Sequence, residues 1–232
     1  MKQYLFSLLF LLAALLCRAQ EEETNDYLLH AGVGAVIYSG KEEAVYPRVR
    51  EHPYLDTKQY REGTVCFDGR VYPKQQMRLN VYTDELIILL PDNRAGIVLP
   101  SERMDSAVFS PYAVFYHTPV QDEAKEQRSL PDKGYYARLH NGKFTVWKRQ
   151  TKLIERVTNG MNIEQIFTSR TRYYVYKDGR YRSVGNKRNL LKLFASKKKE
   201  LNLYIRQQRL NFKDEPDDAI VRTVKYYESL NP

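Results

Sequence analysis

The chain is predicted to be α+β and mainly β: an antiparallel β-meander, as a curled sheet or open barrel, followed by two to three C-terminal helices. Three observations predict this. Asp68-Gly69, Asn141-Gly142 and Asp178-Gly179 each stand between β-forming runs, and such pairs tolerate the positive φ that a two-residue hairpin turn requires. Short apolar or alternating runs recur at close spacing between them. After Val184 the apolar period lengthens from that of a strand to that of a helix. The 232 residues are 43% hydrophobic and 12% aromatic, which is globular composition with length enough for a core.

Residues 1–19 read as a signal peptide. Lys2 supplies the positive start, and Leu5–Leu16 is apolar apart from Ser7. Such a run is too short to cross ~30 Å of hydrocarbon comfortably as a helix, and has the proportions of an export signal. Cleavage is expected after Ala19, so that the exported chain starts at Gln20. Lipidation at Cys17 is the rival reading, disfavoured by the bulky Leu16 before it. Removing Cys17 leaves Cys66 as the one thiol, so no internal disulfide is expected. The expected location is the periplasm or the periphery of the outer membrane.

Residues 20–27 are acidic and polar and read as a disordered lead-in. The antiparallel β domain is expected over 28–184. Val36–Tyr38 suits a strand, with Gly32 and Gly34 marking a bend or close backbone approach; His52-Pro53-Tyr54 marks an irregular turn. Thr64–Phe67 and Arg70–Tyr72 flank the first Asp-Gly turn. Met77, Leu79 and Val81 alternate with polar residues, as in a half-buried strand. Leu86–Leu90, Ile97–Leu99, Ala107–Phe109 and Ala113–Tyr116 follow. Tyr135–His140 with Lys143–Lys148, and Arg172–Lys177 with Arg180–Val184, complete nine to twelve strands. Thr118–Lys133 is expected to be an exposed, mobile loop.

Residues 185–232 are expected to form a basic helical segment packed on the β domain. Gly185 ends the last strand and Asn186 suits a helix cap. Leu190, Leu191, Leu193 and Phe194 form an apolar face, which a straight helix would carry on to Lys197. A break is therefore expected at Ser196, capping a new helix with Leu201, Tyr204 and Ile205 inward. Asp214–Asp218, with Pro216 in the first turn, opens a third helix, buried along Ile220, Val224 and Tyr227.

The charge is uneven. The net value is +9, from 37 Lys and Arg against 28 Asp and Glu. Residues 170–213 hold fourteen Lys and Arg with only Asp178 and Glu200 as acids, so the rest of the exported chain is net acidic. A local excess is the form that an anion- or membrane-binding patch takes. The candidate patch is Lys187, Arg188, Lys192, Lys197, Lys198, Lys199, Arg206 and Arg209; the competing reading is a solvated helix face. Outside the cytoplasm its partners would be an envelope protein, a lipid headgroup, a lipid A phosphate or an acidic glycan. Nucleic acid fits the charge but not the address. Tyr135-Tyr136 and Tyr173-Tyr174 are a candidate aromatic surface, each pair placing one ring on either face of a strand; the competing reading is cover for a half-exposed sheet.

Reactive chemistry is not legible. His30, His52, His117 and His140 form no metal-ligand spacing, and no phosphate-binding loop, nucleophile elbow or dinucleotide fingerprint is present. No catalytic residue, metal or cofactor is assigned. Cys66, between Val65 and Phe67, reads as a strand residue and small core hydrophobe rather than a nucleophile. The expected role is a non-enzymatic binding or adaptor module. A carrier of a lipid-like or amphipathic ligand and a hydrolase with an unrecognised site are the alternatives.

Several stretches together carry a family likeness. They are Phe67-Asp68-Gly69, Tyr82–Ile87, Tyr174–Tyr181, Asn186–Phe194, Lys197–Leu201, Ala219–Val221 and Val224–Tyr227. Through them the chain resembles an uncharacterised family of signal-peptide-bearing envelope proteins of Gram-negative bacteria. The resemblance covers most of the exported chain. It implies an envelope location and carries no activity or catalytic residues.

Overall fold

The computed structural model describes residues 23–24, 27–28, 31–119, 129–160 and 162–230. The signal-peptide and Cys17 readings, His30 and most of the lead-in lie outside these residues. Positions 23, 24, 27 and 28 are helical, with Thr24 buried.

Twelve strands are present among the described residues: β1 (Lys41–Glu42), β2 (Val49–Arg50), β3 (Arg61–Phe67), β4 (Arg70–Asn80), β5 (Glu85–Leu89), β6 (Gly96–Val98), β7 (Met104–Phe109), β8 (Tyr112–His117), β9 (Gly134–Asn141), β10 (Thr145–Asn159), β11 (Asn162–Lys177) and β12 (Arg180–Ser183). Helices α1 (Lys187–Leu193), α2 (Lys198–Gln207) and α3 (Pro216–Ser229) follow. The fold is mostly β with three C-terminal helices, and its sheet is antiparallel-dominated and not closed. The chain divides into two compact units. One holds the described residues up to Pro111 with Arg156–Ile166; the other holds Tyr112–Glu155 and Phe167 onward. The helices share a unit with β8, β9, β12 and the parts of β10 and β11 outside Arg156–Ile166.

In the first unit the strand order is β1-β6-β5-β4-β3-β7. Asp68 and Gly69 both take positive φ, and Phe67 pairs with Arg70, so the expected two-residue turn forms. β4 is one strand of 11 residues where two short ones were expected. It stays continuous through a bulge at Pro73-Lys74, opposite Thr64, with Lys74 at φ 53°. A bulge is where a strand tolerates proline. Gly63 on β3 must be small, because a Cβ there would lie 2.2 Å from the Val108 carbonyl oxygen of β7. Leu86, Ile87 and Ile88 on β5 are fully buried, each worth ~1.5–3 kcal/mol of transfer free energy. Val36–Tyr38 is a 3-10 turn rather than the expected strand. Gly32 serves a bend at φ 51°, and no atom crowds it or Gly34, so no close backbone approach occurs there. β2 pairs in parallel with β11 at Val49–Gln165 and Arg50–Ile166.

In the second unit the order is β8-β9-β10-β11-β12. Lys177 pairs with Arg180 across a positive-φ Asp178-Gly179 turn, as expected. The Asn141-Gly142 hairpin differs: Asn141 pairs with Thr145, so the loop is one residue longer than expected. It carries Phe144 into the core, and the Phe144 amide donates to the Glu228 carboxylate at 2.8 Å. Leu190, Leu191 and Phe194 of the α1 segment, Leu201 and Ile205 of α2, and Ile220, Val224 and Tyr227 of α3 pack with Val146, Tyr173 and Val175. Asn186 caps α1, its side-chain oxygen accepting from the Asn189 amide. The helix break falls where expected, but Ser196 is not the cap. Residues Ala195–Lys197 form a 3-10 turn, and the Ser196 hydroxyl bonds the Tyr227 hydroxyl at 3.2 Å. Pro216 occupies the first turn of α3.

The expected exposed loop over 118–133 is tied down at its described end. Leu130 is buried, Arg172 donates to the Asp132 carboxylate at 3.0 Å, and Asp132 exchanges backbone hydrogen bonds with the Tyr136 hydroxyl. Residues 120–128 lie outside the described residues.

Candidate functional site

The β11–β12 hairpin and α1 build two basic clefts in the second unit. Arg180 and Arg182 sit two residues apart on β12 and therefore share a face. Across the sheet Arg182 is opposite Val175, a core residue on the helix side. Tyr181 turns to the other face and packs with Tyr136 and Tyr174. The hairpin thus aims its arginines toward α1. A cleft of about 710 Å³ is lined by Lys177, Arg180, Arg182 and Lys192, with Asp178, Ser183 and Asn189. A second, of about 860 Å³, is lined by Lys187, Arg188, Lys192 and Lys198, with Asn186, Asn189 and Asn202. Asn189 and Lys192 line both, so the clefts adjoin along α1.

Charge balance distinguishes these walls. Asp178 is their only acid, and it is ion-paired with Lys177. Among the described residues, Arg180, Arg182, Lys187, Arg188, Lys192 and Lys198 have no carboxylate partner. Arg182, Arg188, Lys192 and Lys198 are exposed. Cations that are solvated and uncompensated leave a positive potential for an anion. Of the predicted patch, Lys187, Arg188, Lys192 and Lys198 meet in one cleft. Lys197, Lys199, Arg206 and Arg209 line neither, and Lys197 pairs with Glu200 at 3.6 Å. Arg180 and Arg182 were missing from the predicted patch; their alternation beside an Asp-Gly turn was the available signal.

The four predicted aromatic-surface residues are corrected. Tyr135, Tyr136, Tyr173 and Tyr174 are all buried, none more than 7% exposed. Tyr173 packs with the helices, Tyr136 and Tyr174 pack with Leu130, and Tyr135 meets the Tyr116 ring edge-on. Burial pushes the Tyr136 hydroxyl up to about 12, its hydrogen bond to Asp132 partly offsetting this. Burial and then the Asp217 carboxylate push Tyr173 further up; its hydroxyl donates to Asp217, which also receives Lys148 at 2.8 Å. These rings serve the interior.

Cys66 is half-buried, and its thiol donates to the Asp105 carboxylate at 3.3 Å. Burial, that hydrogen bond and the Asp105 charge all raise its pKa, the opposite of what activates a nucleophile. His117 donates to the Leu130 carbonyl at 2.9 Å and His140 meets the Glu228 carboxylate at 2.9 Å. Among the described residues no group of three His, Cys, Asp or Glu is placed to hold a metal ion, and no helix is long and apolar enough to cross a membrane.

A different charged cluster lies in the first unit. Glu43 accepts from the Tyr54 hydroxyl at 2.6 Å, the Tyr60 hydroxyl at 3.1 Å and the Arg78 guanidinium. That guanidinium stacks between the Tyr54 and Tyr60 rings, 3.9 and 4.1 Å from their centroids. Burial, followed by the Glu43 charge, pushes Tyr60 up to about 12. The Glu43 carboxylate and the terminal nitrogens of Arg78 are partnered, while the buried Arg78 Nε is not; the ion pair and ring contacts tie Glu43, Tyr54, Tyr60 and Arg78 together.

No family model, curated protein or solved structure matches the chain.

Proposed function

We propose that the protein is an exported, non-enzymatic binding module of the cell envelope, and that the α1–β12 clefts are its binding surface. The observation that carries this reading is the gathering of cations on the walls of two adjoining clefts, six of them without a carboxylate partner among the described residues, with Asp178 as the one acid in the lining. Each Lys or Arg near an anionic surface contributes ~1 kcal/mol before screening. The short apolar run after Lys2 supports export, and the family resemblance agrees with it. The carrier alternative draws less support, since Tyr136, Tyr174 and Leu130 fill the sheet face opposite the helices.

Two charge-matched variants test the reading. One is Lys187→Gln/Arg188→Gln/Lys198→Gln, and the other is Lys199→Gln/Arg206→Gln/Arg209→Gln. Binding of each to immobilised dextran sulfate and to phosphatidylglycerol vesicles is compared with the unaltered chain. The cleft variant should lose at least about tenfold on one of these probes, and the other variant much less. Equal losses would reduce the effect to net charge and overturn the assignment. Mass spectrometry of the secreted chain tests export: a start at Gln20 is expected, and a diacylated Cys17 would replace the soluble form with a lipid-anchored one.

A further inference from the structure

We infer that the ligand is an acidic polysaccharide whose successive anionic groups occupy both clefts at once; this rests on the binding surface proposed above. Three features of the walls point to an extended anionic chain. First, the cations are spread along a path. Arg180 and Arg182 stand at alternate positions of β12, roughly 7 Å apart by strand geometry. Lys192 faces both clefts, and Lys187 and Lys198 continue into the second. Recurring cations suit recurring anions, and the planar guanidinium forks suit carboxylate or sulfate groups bidentately.

Second, the two spaces, about 710 and 860 Å³, are open to solvent and adjoin through Asn189 and Lys192, so that one extended ligand can reach both. An elongated ligand one sugar wide can lie within them. Third, beside the apolar Leu191, Leu193 and Ala195, the lining offers neutral polar groups that match sugar hydroxyls. Ser183, Asn189 and Asn202 intersperse with the cations. The Asn189 backbone amide serves the cap of α1, while its side-chain amide, exposed between the two clefts, can both donate and accept.

The test uses the exported chain with heparin fragments, measured calorimetrically at physiological ionic strength. A dodecasaccharide should bind at least about tenfold more tightly than a disaccharide. Arg180→Gln/Arg182→Gln and Lys187→Gln/Lys198→Gln should each weaken dodecasaccharide binding by about tenfold and shrink the advantage of length. A dodecasaccharide no tighter than the disaccharide would overturn the inference. Phosphatidylglycerol vesicles separate the two levels of the proposal. Cleft-dependent vesicle binding without glycan binding would overturn the polysaccharide and leave the binding surface standing; binding to neither, on resin or vesicle, would overturn both. Lysine acetylation of the unaltered chain gives a readout independent of any variant's folding. The dodecasaccharide should protect Lys187, Lys192 and Lys198 more than Lys199, and equal protection would overturn the inference.

Discussion

Glu43 and Arg180 are both charged side chains of a β-rich chain, but their surroundings are opposite. Glu43 is 5% exposed at its side chain and receives two tyrosine hydroxyls and a guanidinium. Arg180 lines an open cleft and has no carboxylate partner among the described residues. A buried charge is tolerable only when its partners replace lost water. A solvated charge has no such debt and keeps its field for a ligand. Among the described residues, the buried Glu43–Arg78 pair is held by its neighbours, while the cations proposed for binding stand in solvent without carboxylate partners.

The largest effect that sharpens this contrast is at Glu43. Glu43→Ala strands the Arg78 guanidinium between two rings without its counter-ion, and should cost about 3–5 kcal/mol in urea unfolding. Arg180→Gln/Arg182→Gln should change stability by no more than ~0.5 kcal/mol per site. Comparable losses from the two variants would erase the distinction.

Smaller effects test how the helical side of the clefts is held. Asn186→Ala removes the oxygen that accepts from the Asn189 amide and should cost about 1 kcal/mol. Ser196→Ala, which removes no cap, should cost less by the same unfolding assay. Acid sensitivity follows from His117, whose pKa is lowered by burial, partly countered by its bond to the Leu130 carbonyl. The unfolded chain then binds the proton more readily, so stability falls as the pH drops below about 6.5, the ordinary histidine value. His117→Gln should flatten that part of the pH–stability curve. An unchanged slope would show that another group sets it. Last, the Cys66 thiol should alkylate more slowly at neutral pH than a free cysteine, and Asp105→Asn should speed it by removing the adjacent charge.

How much was legible beforehand varies with the range of the forces. The Asp68-Gly69 and Asp178-Gly179 turns, the Asn186 cap and the buried stripe Ile220, Val224, Tyr227 depend on neighbours within a few residues, and all could be read. The far parts of β10 and β11 could not. From Glu155 to Thr158 every residue is exposed, so no face carries an apolar period. Asn141-Gly142 misled because Glu228, distant in sequence, captures the Phe144 amide and sets a longer loop. The tyrosines misled for a similar reason: alternation shows that Tyr173 and Tyr174 face opposite ways, but not that both rings are buried. As for the clefts, the charge run located α1. The contribution of Arg180 and Arg182 needed the hairpin to be folded back beside it.

The most direct measurement is a nuclear magnetic resonance titration of the labelled chain from Gln20 onward with inorganic pyrophosphate, a compact anion that needs no assumption about the natural ligand. Saturable shift changes should concentrate in residues 177–183 and 186–202 and leave the Glu43–Arg78 cluster still. Changes spread evenly over exposed lysines and arginines, or none at α1, would contradict the account.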